Sequence, residues 1–586
     1  MSFLNIFKSS GTVKSESRDP SPVGAAITDG DLKFTIEAGG NTEKPTYQEA
    51  SGAPVESTSP LGYSVGWVTV VFLNLSKMVG TGIFSTPSTI LAGAGSVGLA
   101  LFYWFIGFLI SAATLSVYLE FASYFPSRSG SEVVYLEQAY PRPKWFFPTV
   151  FAVQTVIFSF SASNAIVLAQ YLFKLGGSTP SAWQQKGVAV AGYTVAVLLL
   201  AFNTRWSLRL ANLIGLIKLI TLVFIGITGL VVLGGHTSIK DPKANFRNAF
   251  DGTGDATAYG ATNAMYKIIF SYAGFENAFN VVNEVKNPTK TLRWSAPLSL
   301  LVVSILYMLA NIAYFSAATK TEILKSKAVA ASVFFENVFG STAAGRALNF
   351  LICVSAFGNL IAVLIGQSRM MRECGRQGVL PWTKFWTSTR PFGTPLGPYF
   401  VKWALTMVMI LAPPAGDAFN FVVDLAVYPS NFFYLLLAVG LFVLRWRRKK
   451  AGLPSSDFRA WWIAIAFAVL ANLYLVIMPW YPPSTGATGG DVSFWYATYV
   501  VTSIAIIILC GIYYWVWLVL LPKVKNYQVR QTLEELGDGA VTHRLIKVPN
   551  EDVARWDAEH DVTGRAINRH GYSASEEEQV FADVKV

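Results

Sequence analysis

Long apolar runs closed by short polar connectors recur along the chain, at residues 61–91, 97–125, 146–173, 187–202 and 208–234. Beyond a polar stretch at 235–260 they resume at 266–277, 294–318, 344–371, 398–413, 418–444, 459–480 and 493–521. At about 1.5 Å per helical residue against about 30 Å of hydrocarbon, this pattern predicts twelve membrane-spanning helices. The first run has length to spare, about 45 Å as a continuous helix. Within it lies Lys77-Met78-Val79-Gly80-Thr81-Gly82-Ile83-Phe84, with Pro87 downstream. Two glycines around a threonine make an uninterrupted helix costly and an unwound turn cheap. Unwound backbone cannot face lipid, where each orphan N–H or C=O costs several kcal/mol, so it must line a polar cavity inside a bundle. The plainer alternative is that the small residues only let helices pack closely. A second interruption is expected in the sixth run, Tyr266-Lys267-Ile268-Ile269-Phe270-Ser271-Tyr272-Ala273-Gly274-Phe275-Glu276-Asn277.

Composition agrees with a multi-pass membrane protein: 53% of the 586 residues are hydrophobic and only 14% charged. The net charge of +11 invites a nucleic-acid reading, but the basic residues fall in short connectors, which is a topology signal instead. Arg128, Arg142 and Lys144 follow the second run, Arg205 and Arg209 the fourth, and Lys286, Lys290 and Arg293 the sixth. Arg369, Arg372, Arg376, Lys384 and Arg390 follow the eighth, and the run from Arg445 to Lys450 follows the tenth. These connectors are therefore expected inside, with both termini cytoplasmic and no nucleic-acid partner. Lys320, Lys325 and Lys327 in the outer connector 319–343 run against the bias without reversing it, and that connector is a candidate for a short re-entrant helix.

The remaining chemistry is mostly exclusion. Cys353, Cys374 and Cys510 show no metal or redox spacing, and His236, His543, His560 and His570 all lie outside the runs, so no disulfide framework, metal site, cofactor or catalytic constellation is expected. No secretory signal peptide is visible, and the first span should itself target the chain. Residues 1–60 read as a disordered tail, 61–522 as the twelve-helix unit and 523–586 as a second tail, with an amphipathic piece near 553–560 and an acidic cluster at Glu576, Glu577 and Glu578. That cluster reads most simply as a solvated face; the alternative is regulatory docking, a contact with a cytosolic ubiquitin ligase or adaptor.

Breaks five spans apart are what two five-span repeats of opposite topology produce, so the breaks at Gly82 and Gly274 are expected to meet near the bilayer midplane. Half-helix N-termini suit a carboxylate and C-terminal carbonyls suit an ammonium, which together fit a zwitterion. Several stretches resemble the amino acid, polyamine and organocation superfamily, its L-type amino acid transporter branch and, within that, the fungal high-affinity methionine permeases. They are Val79-Gly80-Thr81-Gly82-Ile83-Phe84 with Thr86-Pro87; Pro126-Ser127-Arg128-Ser129-Gly130 with Tyr135-Leu136-Glu137; Phe270 through Glu276; Asn283-Glu284-Val285-Lys286-Asn287-Pro288; and Ser368-Arg369 with Gly378-Val379-Leu380-Pro381. Ser76-Lys77-Met78 ahead of the glycine turn, with the long tails, points to the fungal group.

The resemblance covers residues 62–522 and implies an all-α integral membrane fold, a LeuT-like 5+5 inverted repeat with helices 1 and 6 broken. It implies that the turn at Gly80, Thr81 and Gly82 receives a substrate carboxylate, and that carbonyls near Phe270, Ser271 and Ala273 receive its amine. Phe275 would be the aromatic gate, where many relatives carry Trp. Met78, Phe270, Phe275 and Phe158 would supply an apolar, polarisable pocket suited to a thioether. The implied activity is proton-coupled import of a neutral amino acid, methionine or a related sulfur amino acid, across a plasma membrane. A broader neutral amino acid permease or exchanger, and a non-transporting sensor on the same fold, stand as alternatives. A cation channel is disfavoured because no ring of acidic side chains lines the runs.

Charged residues within spans should be paired or face inward. Lys77 and Glu276 each flank a break and are candidates for an ion pair joining the two halves. Lys218, among Leu and Ile in the fifth run, is a candidate for proton coupling or for a structural tie to the first break. Lys267 and Asp424 are expected to snorkel separately at the outer ends, and Glu120 to reach the cytoplasmic surface.

Overall fold

The computed structural model describes residues 65–560 apart from 127, 203, 327–328, 341–342, 415–416, 489 and 537–540, together with residues 564 and 566 and two strands nearer the N-terminus. Those strands, β1 (Phe34–Glu37) and β2 (Thr46–Glu49), pair antiparallel with Phe34 opposite Glu49 inside the segment read as a disordered tail. The rest of that segment and the acidic cluster at 576–578 lie outside the described residues.

The first apolar run forms three short helices, α1 (Trp67–Met78), α2 (Gly82–Ser85) and α3 (Pro87–Ala94). Pro87 opens α3, where its missing N–H costs nothing, and Gly95 at φ +73° closes it. Ser96 then caps α4 (Val97–Tyr124) by accepting from Leu99 N at 3.3 Å, so the chain reverses within two residues. There follow α5 (Glu132–Ala139), α6 (Phe146–Ile157), α7 (Ala162–Leu175), α8 (Ala182–Phe202), α9 (Thr204–Leu233), α10 (Ala244–Arg247), α11 (Ala258–Tyr272) and α12 (Pro288–Ala317). The connector 319–343 carries α13 (Lys320–Lys325), opened by a capping box at Thr319 and Glu322, and α14 (Ala330–Phe339); Lys327 lies outside the described residues. Then come α15 (Ala343–Arg376), α16 (Thr383–Thr387), α17 (Leu396–Leu411), α18 (Ala418–Lys450), α19 (Trp462–Ile477), α20 (Thr498–Trp515) and α21 (Leu521–Val524).

Among the described residues, 10 helical stretches are long and apolar enough to cross a membrane. Residues of α1 and α15 such as Leu73, Leu75, Ile361 and Leu364 are buried, whereas Leu213, Ile220, Ile227, Ile508 and Leu509 on α9 and α20 are exposed. Large apolar side chains thus cover the outside as well as the inside, as they must where the solvent is lipid.

Polar side chains knit the centre. Asn277 Nδ2 donates to the carbonyls of Leu73 and Ala362 at 3.2 Å each, and Asn74 Oδ1 accepts from Ala278 N at 2.8 Å. Beyond residue 523, β3 (Tyr527–Glu535) and β4 (Val541–Pro549) form a hairpin, and α22 (Val553–Glu559) occupies the piece expected to be amphipathic. The hairpin sits on the end of α15, where Arg376 Nε donates to Val541 O at 2.9 Å and Thr542 Oγ1 to Arg376 O at 3.1 Å.

Three expectations need correction. Glu120 does not reach solvent: it is buried and pairs in bidentate fashion with Arg445 of α18, Nε to Oε1 at 2.8 Å and Nη2 to Oε2 at 2.5 Å, while Ala460 N donates to it at 2.7 Å. Lys267 and Asp424 do not snorkel apart: the buried Lys267 Nζ lies 2.7 Å from Asp424 and 3.2 Å from Asp491. In both cases a neighbouring helix supplies a counter-charge at hydrogen-bond distance, and pairing removes the need to extend. The run 146–173 is also not one helix, since residues 158–161 leave helical geometry between α6 and α7. Ser159 Oγ there donates to Val156 O at 2.7 Å, the kind of local bond that competes with the helical ladder.

The Glu120 pair sets up a stability test. Glu120→Ala should leave the Arg445 guanidinium buried beside an empty site, costing about 3–5 kcal/mol, seen as a large fall in thermal midpoint of the purified protein. Glu120→Ala with Arg445→Met should recover part of that loss, because no charge is then stranded.

Candidate functional site: two helix breaks around one cavity

α1 ends at Met78 because Val79 takes ψ 75° and cannot continue the ladder, and the chain runs unwound through Gly80 and Thr81 before α2 begins. The last four carbonyls of a helix have no intrahelical donor, and inside a lipid-surrounded bundle each needs one. Here side chains from three other helices supply them. Lys218 Nζ on α9 donates to Ser76 O at 2.7 Å and Val79 O at 2.6 Å. On α15, Asn359 Nδ2 donates to Ser76 O at 3.2 Å and also to Lys77 O. Tyr307 on α12 donates to Met78 O at 2.6 Å and to Ser271 O at 3.0 Å, touching both breaks with one hydroxyl.

α11 ends in the same way. Ala273 is extended at ψ 125° and Gly274 takes φ +135°, a region open in practice to glycine alone. A Cβ on Gly274 would lie 2.7 Å from Met78 N and 2.8 Å from the carbonyl carbon of Lys77, so the two broken segments meet backbone to backbone. Gly82 packs as closely against Ser271, where a Cβ would come 2.9 Å from the Ser271 Cα. Close packing and an open turn are therefore both properties of these glycines.

Across this contact Lys77 Nζ lies 2.6 Å from Glu276 Oε1, and Glu276 Oε2 accepts from Gly274 N at 2.9 Å. The side chains are 11% and 6% exposed, so the pair faces the interior while keeping a little access to the cavity beside it.

That cavity, about 200 Å³, is bounded by both breaks. Of the residues singled out in the sequence, Lys77, Met78, Gly80, Thr81, Gly82, Phe158, Phe270, Ala273 and Glu276 line it. Ser271 lies behind the wall, with its hydroxyl donating to Lys267 O at 2.7 Å and its carbonyl held by Tyr307. Phe275 does not line the cavity either; its ring packs edge-on against Tyr118 and tilted against Tyr434, at centroid distances of 6.0 and 6.1 Å. Lys218 is fully enclosed behind the first break.

Sequence reasoning missed part of the wall. Asn164 accepts from Thr81 Oγ1 at 2.9 Å, and Asn359 faces the cavity from α15. Glu132 of α5 closes one end, held by Tyr118 Oη at 2.5 Å and by Ser131 Oγ. Burial raises its carboxyl above the usual range, while the hydrogen bonds from Ser131 and Tyr118 pull it down. Phe151, Met370 and Phe433 join the anticipated Phe158 in giving the wall an apolar, polarisable side. The asparagines in apolar runs were a readable signal, since a buried amide in a span needs a partner.

A cavity with unwound backbone and a carboxylate–ammonium pair at one side, and aromatic rings at the other, suits a small solute with a polar head and an apolar tail. Residues 65–516 match the amino acid permease family, and the chain belongs to that family of membrane transporters. It is 36% identical to the high-affinity methionine permease of Saccharomyces cerevisiae over 500 residues, 85% of this chain and 86% of that one. It is 30% identical to the low-affinity methionine permease of the same yeast, over 84% and 89% of the two chains. Similarity extends to the human cystine/glutamate transporter, 29% identical over 64% of this chain and 73% of the other.

The Lys77–Glu276 contact can be tested by a double-mutant cycle on uptake and on thermal midpoint. Lys77→Met or Glu276→Gln alone should cost more than the two together, since either leaves one charge unpaired in low dielectric. Additive losses would show that the two charges act independently.

Proposed function

We propose that this protein imports a neutral amino acid, methionine or a related sulfur amino acid, by proton-coupled secondary transport across a plasma membrane. The observation that carries the reading is the cavity at the meeting of the two breaks, with the amides of residues 80–82 on one side and the end of α11 on the other. In this reading the substrate carboxylate lies at the turn of residues 80–82 against the amides of Thr81 and Gly82, where a restarted helix leaves N–H groups without intrahelical acceptors, while Gly80 N is taken up by Met78 O at 2.8 Å. Its ammonium turns toward the carbonyls at the end of α11 and the Glu276 carboxylate, and its side chain lies along Phe151, Phe158 and Phe433. An unbranched thioether fits such a wall because it is flexible and polarisable. The two yeast relatives named for methionine support the substrate class.

We read the architecture as twelve spans in two five-helix repeats of opposite topology followed by two more, counting α11 with its broken end and the 16-residue α17 as spans. Each repeat then begins with one of the two broken helices, which brings the breaks together at mid-depth. The positive charge of the even-numbered connectors supports reading both termini as cytoplasmic.

Substrate class is tested by competition against labelled methionine uptake in cells lacking their own methionine permeases. Methionine and other unbranched neutral amino acids should compete well; stronger competition by arginine or glutamate would overturn the reading. A protein that binds methionine without accumulating it would be a sensor.

Proton coupling is assigned to Lys218, whose buried ammonium has, among the described residues, the neutral carbonyls of Ser76 and Val79 as its hydrogen-bond partners. Release of its proton would leave a neutral amine, a weaker donor to those two carbonyls, and so loosen the first break, linking protonation to the shape of the site. Lys218→Met should abolish accumulation driven by external acid while measurable methionine binding remains. A variant that still concentrates methionine when the outside is acidified would leave Lys218 only a structural tie.

A further inference from the structure

A second buried lysine, Lys402 of α17, has the same kind of neutral partners as Lys218 but addresses a different break. Its side chain is fully buried, and Nζ donates to Ser159 O at 2.5 Å and to Gln367 Oε1. One turn further along α17, Thr406 Oγ1 accepts from Ser161 N at 3.1 Å. Two side chains on one face of α17 thus satisfy a carbonyl and an amide released by the interruption at 158–161, the two group types that a broken ladder strands. The interruption in the third span is therefore a supported feature of the bundle, as the first and sixth are.

It also shapes the cavity. Phe158 and Phe160 from the break, Gln154 one turn before it, and Gln367 from α15 all face the cavity. Lys402 donates to Gln367 Oε1, which leaves the Nε2 of this cavity-lining carboxamide as its remaining polar group, a donor. On the other side Gln154 Oε1 is buried with no hydrogen-bond partner among the described residues. Two carboxamides amid phenylalanine rings are a poor lining for a pure hydrocarbon and a reasonable one for a side chain carrying a weak acceptor.

We propose that the third break forms a side-chain subsite, that Gln367 donates to the heteroatom at the distal end of the substrate's side chain, and that Lys402 is the positioning residue that holds Gln367 in that orientation. This rests on the reading of the cavity as an amino acid site. It assigns the preference for a thioether over a hydrocarbon chain of the same length to one carboxamide donor. A weak hydrogen bond of about 0.5–1.5 kcal/mol corresponds to roughly threefold to tenfold in KM.

The test compares uptake of methionine with that of norleucine, which replaces the sulfur by a methylene and leaves length and head group alone, with rates normalised to protein at the cell surface. The wild-type chain should show a KM for norleucine about threefold to tenfold above that for methionine. Gln367→Leu should bring the ratio close to one, chiefly by raising the methionine KM. Lys402→Met should shift the ratio in the same direction. A wild-type ratio near one, or a ratio unchanged in Gln367→Leu, overturns the subsite. A lowered ratio in Gln367→Leu with an unchanged one in surface-expressed Lys402→Met overturns the positioning role alone. Should Lys402→Met fail to reach the surface, Gln367→Leu together with Thr406→Val decides: altered ratios in both support a subsite built on the third break, and an unaltered ratio in either overturns it. Failure of the wild-type chain to take up methionine at all would instead sink the function proposed above, so the two failures are distinguishable.

Discussion

Backbone that leaves the helix inside a membrane must find hydrogen-bond partners within the protein, and this constraint governs the centre of the molecule. Where α1 stops, the carbonyls of Ser76, Lys77 and Val79 rely on side-chain donors, and Met78 O has Gly80 N at 2.8 Å as well as Tyr307. Lys218, Asn359 and Tyr307 reach them from α9, α15 and α12, so three helices are placed by the need to cap a fourth. Tyr307 also caps Ser271, which makes the two broken helices share a donor. A cavity can exist beside them because their polar groups are satisfied from behind, leaving the opposite side free.

Glycine sets how closely the breaks approach. Gly274 lies against the peptide between Lys77 and Met78 and takes a dihedral that other residues avoid, so a side chain there would separate the halves and strain the turn together. With the backbones in contact, Lys77 and Glu276 fall within ion-pair distance. The pair joins the halves through charges that the cavity can reach, whereas the Gly274 contact joins them through sterics. A transporter needs both a firm hinge contact and a contact that its solute and solvent can perturb.

Charges elsewhere follow a common logic. Glu120 with Arg445, and Lys267 with Asp424, are enclosed and matched by a group on a sequence-distant segment, with the half-buried Asp491 beside Lys267 as a second counter-charge. Such pairs are costly to desolvate and costlier to break, so they fix which helices are neighbours more than they add net stability. Lys218 and Lys402 differ in having neutral oxygen partners, and both sit behind helix breaks. An ammonium placed there serves as a three-pronged donor that can cap carbonyls from more than one residue.

Hydrophobic run length and glycine placement by themselves determined most of the element pattern: the long apolar helices, the interruptions at Gly80 to Gly82 and at Gly274, and the eight cavity residues drawn from those two stretches. This is because lipid imposes a simple rule on composition and glycine marks where the ladder fails. The third interruption escaped that reading, since Ser159-Phe160-Ser161 carries no glycine or proline and is opened by Lys402 and Thr406 from a span more than two hundred residues away. Apart from the Lys77–Glu276 pair and the tie of Lys218 to the first break, which the positions of the breaks suggested, side-chain partnerships were equally out of reach. Nothing local to Glu120 says that Arg445 lies beside it, nothing near Lys267 points to Asp491, and Phe275 left the cavity wall because Tyr118 and Tyr434 offer its ring better packing. Whether a polar residue in a span turns to the interface, to a counter-charge or to an open carbonyl depends on which helix packs next to it, and only the tertiary structure decides that.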